Sequence, residues 1–172
     1  MEKALLVTDM LNDFIRSEGR LYIGETGLEI IDPIQKIIQK AREDRTHVIY
    51  ICDNHFPHDA EFEMFPPHCL QGTPGADIID ELTPAKGDVI LSKRRFSAFF
   101  GTDLDLTLRE LKVEELFLTG VCTNICVLYS AADARMLNYK VNVYKNAVTS
   151  FCNEAHSYAL KEMESTLGVK IL

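Results

Sequence analysis

The feature that most constrains this chain is an alternation of short, nearly continuous apolar runs with longer amphipathic stretches. Ala4–Thr8, His47–Cys52, Asp88–Leu91, Glu115–Thr119, Lys140–Tyr144 and Val169–Leu172 read as strands. The first, second and fourth lack the polar–apolar alternation of a strand with one wet face, so they are expected to be buried on both faces. Between the runs, Leu28–Arg45 carries Ile30, Ile31, Ile34, Ile37 and Ile38 at helical spacing, and Leu104–Leu111, Asn124–Asn138 and Asn153–Leu167 are the other candidate helices. Strand and helix in regular succession predict an α/β fold of three layers, a mostly parallel sheet of six strands with helices on both faces.

Length and charge narrow the class. The 172 residues show no repeat or linker and are read as a single domain over 1–172. A domain of this size buries roughly 70% of its unfolded surface and needs no disulfide staples. With 18 Lys and Arg against 26 Asp and Glu, the net charge of −8 argues against nucleic acid and against an anionic membrane surface. No apolar run approaches the roughly 20 residues of a membrane span. The opening MEKALLVTDM reaches Asp9 too early for a signal peptide, so a cytoplasmic protein is expected. Five Cys without framework spacing suit free thiols in a reducing compartment.

In open α/β sheets, ligands sit beyond the carboxyl ends of the strands. Those ends carry Asp9, Asp53, Lys93 just past the third run, and the stretch GVCTNIC with Cys122 and Cys126. Cys126 falls in the first turn of a helix predicted to start near Thr123 or Asn124. Free N–H groups there, with Lys93 close by, are expected to lower its pKa and hold an oxyanion. An inert buried thiol is the competing reading, and it is the one favoured for Cys52 on its apolar strand. Asp9 reads either as a turn cap or, beside a Cys and a Lys, as a general base and acid. Lys93, in a basic run, reads first as a solvated surface residue.

Residues 53–74 break the rhythm, with three of the five His and four of the six Pro. Asp53 and His55, two apart, point the same way in an extended segment, and His68 would complete two imidazoles and a carboxylate, a set that holds a transition metal with positions open. His58 is an alternative ligand, whereas His47 and His156 read as structural or solvated. No G-x-G-x-x-G, G-x-x-x-x-G-K, G-x-S-x-G or C-x-x-C occurs, so the usual signatures of dinucleotide, triphosphate, serine-hydrolase and dithiol chemistry are missing.

Four patches, DMLNDF at 9–14, DNH with FPPHC across 53–69, KRRFSAF at 93–99 and GVCTNICV at 120–127, resemble the isochorismatase-like cysteine hydrolases, and within them the nicotinamidases. The resemblance covers nearly the whole chain and implies a Rossmann-like six-stranded parallel sheet. It implies Cys126 as nucleophile, Asp9 as proton carrier and Lys93 as the third member of a triad. It further implies a cis peptide at Val121–Cys122, with the amides of Cys122 and Cys126 as oxyanion hole. Asp53, His55 and His68 match the metal ligands and Glu61 an additional ligand of some members. Phe14, Phe65 and Phe99 match pocket aromatics. The implied cofactor is one divalent transition metal, zinc first, then iron or manganese. The implied reaction is deamidation of nicotinamide to nicotinate and ammonia by a homo-oligomer acting on a small amide. The alternatives are hydrolysis of another small amide or carbamoyl compound, and a non-catalytic small-molecule-binding domain. Two positions depart from the pattern: Cys122 stands where Ala or Thr is commoner, and Phe96 where many relatives have Tyr.

Overall fold

The computed structural model describes residues 1–172. Its strands are β1 (Glu2–Thr8), β2 (His47–Asp53), β3 (Val89–Lys93), β4 (Val113–Val121), β5 (Lys140–Thr149) and β6 (Lys170–Ile171). They form one parallel sheet in the order β3-β2-β1-β4-β5-β6. The helices are α1 (Asn12–Ile15), α2 (Thr26–Glu29), α3 (Ile31–Glu43), α4 (Leu104–Glu110), α5 (Leu128–Met136) and α6 (Asn153–Ser165). The six-stranded three-layer expectation holds.

Side chains that alternate along a buried parallel strand must feed two cores. On β1, Leu5 and Val7 enter one core with Ile31, Ile34 and Ile38 of α3. Ala4 and Leu6 enter the other with Leu108 of α4, Ala131 and Ala134 of α5 and Met163 of α6. No helix is long and apolar enough to cross a membrane.

The predicted helix Leu28–Arg45 is divided at Ile30, and Pro33 gives the reason. Its ring nitrogen cannot donate to the carbonyl of Glu29, so the hydrogen-bond ladder is open there. The helix therefore restarts at Ile31, with Pro33 tolerated in the first turn. Arg45 closes α3 with φ +58°, and the amide of Thr46 donates to the Ala41 carbonyl at 2.8 Å. β5 runs past the predicted Tyr144 to Thr149. Its pairing with β4 jumps from Leu118–Val143 to Gly120–Val148, a bulge that hides the later residues from a periodicity reading.

Strands β1 and β4 are neighbours in the sheet although far apart in sequence. The crossovers before β4 lie to one side of β1 and those after it to the other, so the loops diverge and a crevice opens at the carboxyl ends of these two strands.

Candidate active site

Four of the predicted residues meet in that crevice. Asp9 ends β1 with φ +52°, its amide donating to the Ile51 carbonyl at 2.8 Å. Its Oδ1 accepts from the Asp53 amide at 2.9 Å, and its Oδ2 lies 2.9 Å from Lys93 Nζ. Lys93 is the last residue of β3 and is only 2% exposed, so the solvated reading fails. Its ammonium also contacts Asp53 and lies 3.5 Å from Cys126 Sγ. Four separate chain segments thus bury a carboxylate pair, an ammonium and a thiol together.

Burial and the nearby Asp53 charge push Asp9 up to about 6 despite Lys93 and Cys126. Burial also opposes the charge on Asp53, but Lys93 with His55 and His68 overcomes it and holds this carboxyl well below the usual range. Burial opposes the Lys93 charge in turn, and Asp53, Asp9 and Cys126 outweigh it, so the ammonium is retained.

The expected depression of the Cys126 pKa is not what the structure has. Burial, with the charges of Asp9 and Asp53, outweighs Lys93 and raises the thiol well above its ordinary value. Cys126 is held as a neutral thiol beside a carboxylate able to take its proton. The predicted helix start differs as well. Thr123–Val127 form a π-helical turn in which the Val127 amide donates to the Cys122 carbonyl at 3.2 Å, and α-helical geometry begins at Leu128. The Val121–Cys122 peptide is cis. Thr123 Oγ1 lies 2.8 Å from Nδ1 of the half-buried His156, which ties the turn to α6. Cys52 sits inert in the core, its thiol pushed up to about 12 by burial.

A second cluster shares Asp53 with the first. Ligand atoms of Asp53, His55, Glu61 and His68 lie within 4.8 Å of one another, and all four residues are buried. His55 Nε2 is 3.6 Å from Asp53 Oδ2 and 3.8 Å from Glu61 Oε1, and His68 Nε2 is 3.6 Å and 4.0 Å from the same two atoms. These gaps are too long for hydrogen bonds yet short enough for all four to reach one ion with bonds of about 2.1 Å. His55 Nε2 and Glu61 Oε2 are buried without any hydrogen-bond partner. Buried polar atoms are rarely left so, and two imidazoles with two carboxylates suit a divalent transition metal. The residues fit the implied cofactor. Glu61, on the 3₁₀ turn Ala60–Glu63, belongs to the cluster, whereas His58 is exposed and outside it.

The loop that brings His55 and His68 together is tied by backbone. The His55 amide donates to the Cys69 carbonyl at 2.9 Å, and the Gln71 amide donates to the His55 carbonyl at 2.9 Å. Cys69, at φ +45°, donates its amide to Asp13 Oδ2 at 2.6 Å. The buried Asp13 carboxylate therefore anchors the residue after His68, a role the sequence reading did not see.

The cleft between the clusters is walled by Phe14, Leu21, Phe65, Phe96, Ile125 and Phe151, with Cys122 beside Cys126. Phe14 and Phe65 stand where expected. Phe99 does not line the cleft. Ser97 Oγ pairs with Asp133 at 2.5 Å and the Ala98 amide donates to Ser130 Oγ at 2.8 Å, pinning this segment to α5 and turning Phe99 into the core beside Tyr139. Phe96 takes the place, edge-on to Phe65 at 6.0 Å. A larger groove of about 560 Å³ opens at the other end of the sheet, near Lys3, Lys40 and Tyr144, but it lacks any buried cluster of titratable groups.

The Isochorismatase domain model matches residues 3–171. The chain belongs to the isochorismatase family. This isochorismatase-family chain is 38% identical to the crystallised nicotinamidase/pyrazinamidase PncA from Bacillus subtilis, with 99% of each chain covered and a TM-score of 0.94. It is 34% identical to the pyrazinamidase of Pyrococcus horikoshii, solved in complex with zinc, covering 100% of this chain and 99% of that one at a TM-score of 0.93. It is 33% identical to N-carbamoylsarcosine amidase from Thermoplasma acidophilum, covering 99% and 95% at a TM-score of 0.92. The family member described here is an amide-hydrolysing enzyme.

Proposed function

We propose that this chain, acting as one domain over residues 1–172, deamidates nicotinamide to nicotinate and ammonia. The observation that carries the proposal is the shared Asp53. It joins a buried thiol–carboxylate–ammonium set to a buried His₂-carboxylate₂ set across one aromatic cleft. The Asp9 carboxylate takes the Cys126 thiol proton as Sγ attacks the amide carbon. The backbone amides of Cys122 and Cys126 hold the oxyanion. As the C–N bond breaks, Asp9 returns the proton to the leaving nitrogen, releasing ammonia and leaving a Cys126 thioester. Water then attacks the thioester with Asp9 as base, and the proton goes back to the departing sulfur. Lys93 keeps its charge throughout, and balances Asp9 and Asp53.

Asp53, His55, Glu61 and His68 would hold the metal, with zinc the first candidate. When bound, the metal supplies a Lewis-acidic position suited to a pyridine nitrogen. The aromatic side chains Phe14, Phe65 and Phe96 would stack on or border a flat ring. No Lys, Arg, Ser or Thr side chain lines the cleft. A carbamoyl amino acid would therefore find no basic or hydroxyl side chain on the cleft wall to pair with its carboxylate.

Ammonia release from nicotinamide, benzamide and an N-carbamoyl amino acid tests the proposal. Nicotinamide should be turned over well and the other two poorly. Equal turnover of benzamide, or preference for the carbamoyl compound, moves the assignment to another small amide.

A further inference from the structure

The two histidines of the cluster are oriented from behind by different means. His68 Nδ1 lies 2.7 Å from the Pro66 carbonyl oxygen, an acceptor in its own loop. His55 Nδ1 instead lies 3.2 Å from Oδ2 of Asp59, four residues further along the chain. An ionised carboxylate only accepts, so Nδ1 of His55 carries a proton, and in the neutral imidazole Nε2 then faces the cluster with a free lone pair. The other oxygen, Oδ1, accepts from the Glu61 amide at 3.0 Å. Asp59 has no exposed side-chain surface, and it is not among the residues whose ligand atoms converge. Its charge is met by Arg95, whose Nη1 lies 2.8 Å from Oδ1, and by Arg94 at 3.7 Å from Oδ2. Arg94 and Arg95 follow Lys93 directly, so the segment leaving β3 serves the triad with one side chain and the metal cluster with the next two.

We infer that Asp59 is the positioning residue of the metal site, one buried carboxylate that sets the ring orientation of His55 and the place of Glu61 while Arg95 holds it from the β3 exit. This rests on the proposal that the cluster holds a metal, but not on which amide is hydrolysed. Acceptors behind metal-bound histidines typically contribute 10–100-fold to affinity. Asp59 touches none of Asp9, Lys93 and Cys126, so the thiol chemistry should not depend on it.

The test is Zn²⁺ affinity of the purified chain, measured by chelator competition, for wild type, Asp59→Ala, Asp59→Asn and Arg95→Met. Asp59→Ala should weaken zinc about 10–100-fold, with Asp59→Asn and Arg95→Met in between. The rate of Cys126 alkylation by iodoacetamide should be unchanged in all three. On wild type itself, ¹⁵N-histidine NMR should show the His55 proton on Nδ1. A proton on Nε2, or wild-type zinc affinity in folded Asp59→Ala, overturns the inference while leaving the metal reading standing. If Asp59→Ala does not fold, Arg95→Met and the NMR measurement decide. Weakened zinc in the variants of a protein that does not deamidate nicotinamide supports the inference and sinks the substrate assignment. A wild-type chain that binds no zinc overturns both the inference and the metal reading.

Discussion

In the proposed mechanism three side chains carry the chemistry, and their environment sets how. Because burial raises the Cys126 thiol well above its ordinary value, attack in that mechanism needs a partner that takes its proton, and Asp9 is the proposed partner. Cys126→Ala should abolish ammonia release while circular dichroism shows an intact fold; turnover like that of wild type would end the thioester mechanism. Asp9→Asn should lower kcat by about 10²–10⁴-fold and slow iodoacetamide labelling of Cys126. Unchanged labelling would show that Asp9 does not govern the thiol. The pH dependence has a definite sign. Asp9 works as its carboxylate and titrates at about 6, so its active fraction falls as pH drops through that value. The rate kcat/KM should decline about tenfold per unit below it. A carboxyl at its ordinary 3.8 would leave the profile flat to below pH 5, and a flat profile in a pH series would contradict this assignment.

At the scale of elements, the site depends on how closely β4 passes β1. Gly120 has φ +101°, and a Cβ there would stand 1.9 Å from the Thr8 carbonyl oxygen, one residue before Asp9. Both the backbone conformation and the close approach demand glycine. Gly120→Ala should cost more than about 4 kcal/mol, seen as a large fall in the urea midpoint or as insoluble protein. A midpoint like that of wild type would mean that β4 can move away from β1 without penalty. The exit of β3 shows the same economy of placement. Lys93 enters the triad, Arg94 lies over the Phe56 ring at 4.5 Å, Arg95 meets Asp59, Phe96 walls the cleft, and Ser97 meets Asp133.

For the whole molecule, the candidate metal cluster spans the strand end at Asp53 and the loop that returns past His68 to Cys69, which Asp13 ties to α1. A metal that binds only this folded arrangement stabilises it by mass action, by about 2.7 kcal/mol at 100 times Kd. For a chain of this length that corresponds to a Tm rise of about 5–10 °C. Thermal melts with zinc and then with excess chelator should show the rise and its loss. If protein shown by elemental analysis to carry metal melts unchanged after chelation, the metal does not sit in this cluster.

The sequence by itself determined the strands, the order of layers and the residues at the strand ends, because these follow from periodicity and from short spacings such as Asp53 to His55. The division of the predicted Leu28–Arg45 helix at Ile30 was missed, although Pro33 carries the signal for it. What depended on contacts between distant segments was not legible. The sequence patterns could not show that Asp53 belongs to two clusters at once, since that requires β1, β2 and β3 to lie side by side. The Cys126 thiol was expected low from its neighbours in sequence, yet desolvation by the whole fold sets its direction. Phe96 and Phe99 look alike in KRRFSAF, and only the bonds to Ser130 and Asp133 on α5 decide which one faces the cleft. Asp59 was one acid in a loop until tertiary structure brought it under His55 and against Arg95. Local periodicity is a property of one segment. Orientation, burial and charge at a site are sums over all the segments that meet there, and those sums exist only in the folded chain.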